Sequence, residues 1–272
     1  DKVMNAVATI LFGPNKGANV LSLEWDHLII LDACRYDIFE HVYRQFFSSI
    51  TTFKCITSPA TSTREFLIKN FDDKNLSDNV KKKLKDTIFV NSSPVIDYVL
   101  GARLRKLFYK YIPVWRRYWD YSIGVVKPED VYRVALRVYM GNPKQKMIIW
   151  FLQPHYPYLG KRFFHLSAEN RAFMNIWPLK ARHYKVPGDV YLPYLFRMMG
   201  RFLRRGYLYD GIADKVLHEY VPSKTSELIK AYVVNLLLVL YYVKRLTEIL
   251  PGKIVVTSDH GEALGEPLSK LI

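Results

Sequence analysis

Two apolar runs in this chain end in side chains that can bind a divalent cation. The run 254–258 leads directly into Asp259 and His260, and the run 27–31 leads into Asp32. Short β-branched runs are typical of buried strands in an α/β sheet, and ligands bind beyond the carboxyl ends of such strands. A carboxylate beside an imidazole offers an oxygen and a nitrogen ligand. Two such strand ends indicate a metalloenzyme.

A cluster of hydroxyl side chains at 61–63 is the best source of a nucleophile. Ser62 and Glu65 satisfy the capping-box pattern, which predicts that a helix begins here. The N–H groups and dipole at a helix N-terminus can hold an incoming anion, so a hydroxyl there is well placed to attack it. Arg64 and Arg35 could add charge-assisted hydrogen bonds to the oxygens of that anion.

Two of the candidate site residues also have structural interpretations. Asp32 could cap the helix that follows its strand, because carboxylates are common caps at strand-to-helix turns. His155 could be a buried histidine with both ring nitrogens satisfied. However, His155 lies between Pro154 and Pro157, just after the predicted strand 147–152. A rigidly held imidazole at a strand end favours a functional role.

Length and composition predict one α/β domain over residues 1–272, since half of the residues are hydrophobic. The two cysteines, Cys34 and Cys55, form no disulfide framework, which favours a reduced, cytoplasmic setting. The most apolar stretch, 231–243, is too short to span a bilayer and suits a core helix. These features leave open whether the domain continues beyond Ile272.

A net charge of +15 favours an anionic partner: a phosphate or sulfate ester, an anionic membrane surface touched peripherally, or nucleic acid as the less favoured choice. The cations cluster at 81–85, 103–117 and 197–205. Aromatic residues alternate with cations across 103–119, so we expect core aromatics flanked by cations, or else an interaction surface near the mouth of the site or facing a membrane.

The remaining pattern predicts a doubly wound, mainly parallel sheet with helices on both faces. A helix is expected from Pro128 to Gly141 and another over 223–250. The segment 160–222 is rich in Tyr, Phe, Arg and Pro, and we interpret it as a basic, aromatic insertion over the active-site edge. Strands are predicted at 27–32, 51–55, 87–91, 147–152 and 253–258.

Three motifs, in this order, resemble the alkaline phosphatase superfamily and its sulfatase-like hydrolases, most closely archaeal sulfatase-like proteins. They are Leu31–Asp37, Gln153–His155 and Ser258–Glu262. The segment 61–66 is also similar to the nucleophile segment of lipoteichoic acid synthases, in which a Thr precedes Ser-Xaa-Xaa-Glu-Phe. That match selects Thr61, with Thr63 as the alternative.

The resemblance implies an alkaline phosphatase-like fold and one divalent ion bound by Asp32, Thr61, Asp259 and His260. It makes Thr61 the nucleophile and places His155 against the ester or its leaving group. Three oxygens and one nitrogen favour Mn or Zn, with Mg or Ca as alternatives. A second metal stays undecided, because related two-metal sites use a further His and none follows His260 here.

Sulfatases convert a Cys or Ser in the pattern Cys/Ser-Xaa-Pro/Ala-Xaa-Arg into formylglycine. Neither Cys34 nor Cys55 fits this pattern. We therefore expect a metal-dependent hydrolase or transferase that acts on phosphate esters through a covalent phosphothreonine. The alternatives are a sulfuric-ester hydrolase that uses the same site, and a catalytically silent protein that binds anionic lipid or nucleic acid.

Overall fold

The computed structural model describes residues 17–47, 52–160, 166, 168–181 and 226–265. Its centre is a five-stranded sheet in which every neighbouring pair is parallel, in the order β3-β2-β4-β1-β5. The α/β fold class predicted from the sequence is confirmed at this level. The strands are β1 His27–Leu31, β2 Thr87–Asn91, β3 Lys110–Pro113, β4 Lys146–Phe151 and β5 Ile254–Ser258.

Helices lie between the strands, as parallel crossovers require. They are α1 Tyr36–Val42, α2 Thr63–Phe71, α3 Asp78–Lys85, α4 Pro94–Leu100, α5 Arg103–Leu107, α6 Val114–Tyr118, α7 Pro128–Gly141, α8 Ala168–Ala181 and α9 Glu227–Thr247. Short 3-10 turns occupy Val20–Ser22 and Tyr43–Gln45. Within the described residues, no helix combines the length and hydrophobicity needed to cross a bilayer.

Helices cover both faces of the sheet because alternate residues of the central strands point to opposite sides. Ile29 and Leu31 join a core with α7 and α9, whereas Leu28 and Ile30 join a second core with α2, α3 and α4. All five residues of β1 are buried. A strand buried on both faces explains why β1 reads as a continuous apolar run.

The predicted strand at 51–55 is wrong, because residues 52–55 form no strand in the structure. Its aromatic residue, Phe53, packs instead beside α1 and the 3-10 turn that follows it. Phe53 stacks on Tyr43 at 4.3 Å between ring centroids and on Tyr36 at 5.4 Å. The strand that the sequence did not predict is β3. It lies inside 103–119, which we call the basic-aromatic stretch, and forms a partly exposed edge of the sheet.

The helix predicted from Pro128 to Gly141 is confirmed. Helix α9 lies within the predicted range 223–250, of which residues 223–225 are outside the described part. The predicted insertion 160–222 also lies mostly outside it. Its described portion contains α8, which packs on α4 and places Trp177 against Tyr98 at 5.4 Å.

The basic-aromatic stretch contributes several of its aromatics to the core, among them Phe108, Trp115 and Trp119. Buried Asp97 attaches it to α4 by accepting hydrogen bonds from the Tyr111 hydroxyl and from Trp115 Nε1, the latter at 2.7 Å. Arg116 pairs with the same carboxylate at 3.4 Å. Arg116 thus has a structural role, and its substitution would be a poor test of anion binding.

Candidate metal centre and active site

Three potential metal ligands meet at the carboxyl ends of β1 and β5. These strands pair in parallel with Leu31 opposite Ser258, so Asp32 and Asp259, the next residues in each strand, lie side by side. His260 Nε2 is 3.5 Å from one oxygen of each carboxylate. Ligand atoms of the three residues all lie within 4.8 Å of one another, and this group could hold a metal ion.

The hydroxyl of Thr63 lies among these three side chains. Its Oγ1 is 2.8 Å from Asp259 Oδ2, 3.2 Å from His260 Nε2, and 3.3 and 3.4 Å from the two oxygens of Asp32. Thr63 is the first residue of α2, whose N-cap is Ser62. Only 9% of Thr63 is exposed. The side chain is therefore held at a helix N-terminus, in direct contact with every candidate ligand.

Thr61, the threonine selected by the sequence resemblance, is placed differently. It is exposed, and both its N–H and its Oγ1 donate to Glu65 Oε2, at 3.0 and 3.2 Å. The capping box explains the difference: Ser62 accepts the N–H of Glu65, while the Glu65 carboxylate reaches back to Thr61. The expected assignment of Thr61 as ligand and nucleophile does not agree with this geometry, which brings Thr63 to the carboxylates instead.

The loop after β1 is held in an unusual backbone conformation. Ala33 has φ +58°, in the left-handed region that costs a non-glycine residue about 1–2 kcal/mol. Its N–H donates to Asp259 Oδ1 at 2.9 Å. The hydroxyl of Tyr232, in α9, donates to the Ala33 carbonyl and accepts the N–H of Arg35, both at 2.8 Å. The N-cap of α1 is Arg35, so Asp32 is not its cap.

His155 stands beside this centre. Its backbone N–H donates to the Asp32 carbonyl at 3.1 Å, and its ring lies 6.2 Å from the His260 ring, centroid to centroid. Each ring has Nδ1 close to a carbonyl oxygen: that of Tyr156 at 2.7 Å for His155, and that of Gly261 at 2.6 Å for His260. A carbonyl can only accept, so Nδ1 carries a proton in both rings and Nε2 is directed elsewhere.

Asn235, in the middle of α9, fixes the loop that carries His155. Its side chain is fully buried, and Nδ2 lies 3.2 Å from each of the carbonyls of Pro154, His155 and Pro157. Oδ1 accepts the N–H of Leu159 at 2.9 Å. The only sequence signal was an amide inside the longest apolar stretch, where an unpaired polar group would be costly. That signal could have marked Asn235 as a residue with buried partners, but it does not identify them.

The two predicted anion-binding arginines have different positions. Arg35 donates to both carboxylate oxygens of Asp37, at 3.0 and 2.7 Å, and to the Glu262 carbonyl at 3.1 Å. It therefore connects α1 to the loop after β5. Arg64 is exposed in the first turn of α2, next to Thr63.

Burial and the neighbouring charges set the protonation of the group. Burial, with the charge of Asp32, raises the pKa of Asp259 to about 6. Burial opposes ionisation of Asp32 as well, but the hydrogen bond from His260 and the charge of His155 bring the pKa of Asp32 below its usual value. Burial acts to lower the pKa of His260, yet the two carboxylates raise it to about 10. At neutral pH the imidazolium of His260 thus supplies the positive charge between the carboxylates.

Cys34 lies close to the centre but is not a candidate thiolate. Burial, together with the charges of Asp259 and Asp37, raises the pKa of its thiol far above the usual value, so the thiol remains protonated. Only the thiolate is a strong ligand or nucleophile. The donors of the centre are therefore carboxylate, imidazole and hydroxyl groups.

These groups can bind a divalent cation, present a hydroxyl to an electrophile and exchange protons with it. Ser58 tightens the arrangement by donating a hydrogen bond from Oγ to the Asp259 carbonyl. No family model, curated protein or solved structure matches the chain.

Proposed function

We propose that the protein is a metal-dependent hydrolase or transferase that acts on phosphate esters through a covalent intermediate on Thr63. The observation that carries this proposal is the contact of Thr63 Oγ1 with Asp32, Asp259 and His260 together. Covalent catalysis requires a hydroxyl close to a base and at a point where an anion can approach. The resemblance of the strand-end motifs to sulfatase-like hydrolases supports the same chemistry.

In this proposal Thr63 Oγ1 attacks phosphorus while the bond from phosphorus to the leaving oxygen breaks. The hydroxyl proton passes to Asp259, whose Oδ2 is 2.8 Å away. The first N–H groups of α2 receive the phosphoryl oxygens, and exposed Arg64 adds charge beside them. His155 contacts the leaving oxygen. Water then attacks phosphorus and releases Thr63 in a hydrolysis, or a hydroxyl of a second substrate does so in a transfer.

The residues fit a divalent cation. Asp32, Thr63, Asp259 and His260 offer three oxygens and one nitrogen, a set that suits Mn or Zn, with Mg or Ca as alternatives. A bound cation would lower the pKa of the Thr63 hydroxyl and offset negative charge on the ester. The imidazolium of His260 occupies the position of that positive charge in the metal-free protein.

Two alternatives are weaker. A sulfuric-ester hydrolase could use the same centre, but the residue in contact with the candidate ligands is a threonine, and the formylglycine route requires Cys or Ser. A silent binding protein would gain nothing from two carboxylates buried side by side, because burying like charges is costly. A binding protein also leaves the contact between Thr63 and all three ligands without a purpose.

We expect Asp259→Ala to remove the bound ion without unfolding the protein. The wild type, dialysed after loading with Mn²⁺ or Zn²⁺, should keep about one ion per chain and turn over chromogenic phosphate esters faster than the matching sulfate ester. Asp259→Ala should lose both ion and turnover, because it removes a buried ligand. Metal content by mass spectrometry and thermal unfolding are the measurements.

Asp73→Ala is the matched control, since Asp73 is an exposed carboxylate just beyond the C-terminal end of α2, whereas Thr63 is at its N-terminal end. It should keep the ion and full turnover. Full metal occupancy in Asp259→Ala would contradict the ligand assignment, and preferred turnover of the sulfate ester would favour the sulfatase alternative.

Metal uptake should release about one proton per ion near pH 7. The pKa of His260 is raised to about 10, so His260 is protonated there and must lose its proton to bind. Affinity should therefore rise about tenfold per pH unit between about pH 7 and 9. In the metal-free protein the sign is the reverse: the raised pKa stabilises the fold fully below about pH 6.5, and this contribution is lost as the pH rises through 10.

Calorimetric titration with Zn²⁺ in two buffers that differ in ionisation enthalpy measures the proton count. His260→Ala should bind more weakly and release no comparable proton. An affinity that stays constant across this pH range in the wild type would contradict the protonated state assigned to His260.

A further inference from the structure

Several lysines lie where the strands of the sheet begin, at the end of the sheet opposite the metal centre. Strands β3 and β4 begin with Lys110 and Lys146, and Lys253 directly precedes β5. Helices α3 and α5 lead into β2 and β3, and each ends in cationic residues. Because parallel strands all begin at the same edge, these cations share the amino edge of the sheet.

Hydrogen bonds and helix packing connect the parts of this surface to one another. Lys83 Nζ donates to the Leu23 carbonyl at 2.7 Å, and the Thr87 hydroxyl donates to the Lys83 carbonyl at 2.7 Å. The Tyr109 N–H donates to the Thr87 carbonyl at 3.0 Å. Helices α3 and α5 also pack on each other. We call the resulting surface the amino-edge face: Leu23, Lys82, Lys83, Lys85, Lys106, Tyr109 and Lys110.

Lysines outnumber the acidic residues that adjoin the amino-edge face, which are exposed Asp86 and Glu24. The sequence contains no Asp or Glu between Asp97 and Asp120. Within the described residues, Lys82, Lys85, Lys106 and Lys110 form no ion pair and are exposed. By contrast, Lys146 pairs with Asp26 and Lys253 with Glu24, so we exclude them from the face. Positive charges lie close together at Lys83, where burial and the charge of Lys146 lower the pKa of the ammonium.

Apolar side chains accompany these cations. Tyr109 is 57% exposed and Leu23 is 41% exposed. An aromatic and an aliphatic side chain among lysines are typical of proteins that rest in the interfacial layer of a bilayer. Single-stranded nucleic acid binds instead to stacked aromatic platforms, and Leu23 offers no such surface. Lysine is also a point charge, whereas specific phosphate recognition favours the planar fork of arginine.

We propose that the amino-edge face docks the protein peripherally on an anionic lipid bilayer. The lysines attract the headgroups, and Leu23 and Tyr109 enter the interface. Strands of five residues span about 17 Å, so the metal centre at the opposite edge faces the aqueous phase. A docked molecule would therefore act on esters that approach from solution and not on headgroups of the membrane that holds it. This inference does not depend on the proposed enzymatic function.

The test is co-sedimentation with vesicles of phosphatidylcholine alone and vesicles that also contain phosphatidylglycerol. Wild-type protein should sediment only with the second kind, and added salt should release it. The triple variant Lys82→Glu, Lys85→Glu, Lys106→Glu should partition at least about a hundredfold more weakly, because each lysine near an anionic surface contributes about fivefold and each new glutamate is repelled by it. Tyr109→Ala should weaken binding even at low salt.

The matched control reverses three exposed cations outside the face: Lys54→Glu, Arg117→Glu and Lys180→Glu. It has the same net charge as the first triple variant and should keep most of the binding. Circular dichroism and thermal unfolding verify that both variants are folded, and a single Lys82→Glu change serves if the triple variant is not. Equal loss in both triple variants, no wild-type binding to the anionic vesicles, or preferential binding to DNA oligonucleotides would overturn the proposal.

Discussion

Thr63→Ala should lower turnover of phosphate esters by about a thousandfold or more, whereas Thr61→Ala should retain most of it. The first change removes the oxygen that contacts Asp32, Asp259 and His260. The second removes only a hydrogen bond to Glu65 at the start of α2, which affects stability by about 1 kcal/mol or less. Initial rates of both variants, measured in one assay with saturating Mn²⁺ or Zn²⁺, make the comparison.

Mass spectrometry of acid-quenched reactions should then locate a phosphopeptide with the modification on Thr63. Thr63→Ser serves as the conservative variant, because it restores a hydroxyl at the same place and should recover part of the rate. Thermal unfolding controls for folding. Full activity in Thr63→Ala, or phosphate mapped to Thr61, would reject the assignment drawn from the geometry.

Asn235→Leu should destabilise the protein by about 3 kcal/mol or more and lower kcat, while the metal content stays unchanged. The substitution keeps the volume but leaves four backbone groups of the His155 loop without their partner, and each unsatisfied buried group costs about 1–3 kcal/mol. Because Asn235 contacts none of Asp32, Asp259 and His260, the ligands themselves are preserved. Denaturant unfolding, metal analysis and kinetics separate these effects.

Asn70→Leu provides the matched control. Asn70 is also buried in a helix, but its side chain donates one hydrogen bond, to the Phe66 carbonyl in the same helix, and its Oδ1 has no hydrogen-bond partner among the residues that the structure describes. Its replacement should change stability little. If Asn235→Leu were no more destabilising than Asn70→Leu, the network around His155 would not have the importance given to it here.

The sequence predicted four of the five strands, β1, β2, β4 and β5, because each is a short apolar run that ends abruptly in polar residues. Strand β3 was missed because its four residues, Lys110–Pro113, include a lysine and a proline and do not form an apolar run. The β-branched and aromatic residues of 51–55 gave a false strand, because Phe53 packs on the aromatic rings of α1 and the following 3-10 turn, a role that local composition does not distinguish from a strand.

Within the site, the residues at strand ends were easier to predict than those that depend on helix geometry. Asp32, Asp259 and His260 follow from parallel pairing, which brings the ends of neighbouring strands together. The choice between Thr61 and Thr63 depends on which of them is the first helical residue, and Ser62 as N-cap determines this. Tyr232 makes contacts about 200 positions away along the chain, and Asn235 about 80 positions away, which local periodicity does not reveal.

Tyr232 and Asn235 lie three positions apart in α9, and one holds the loop after β1 while the other holds the loop after β4. Helical rise therefore sets the separation of the two loops, at about 4.5 Å along the helix axis. A residue inserted between them would rotate one anchor by about 100° and detach its loop. The relative placement of Asp32 and His155 is thus encoded in the register of a helix that contributes no ligand. Attempts to alter the specificity of this centre should leave that helix intact and change the loops around it.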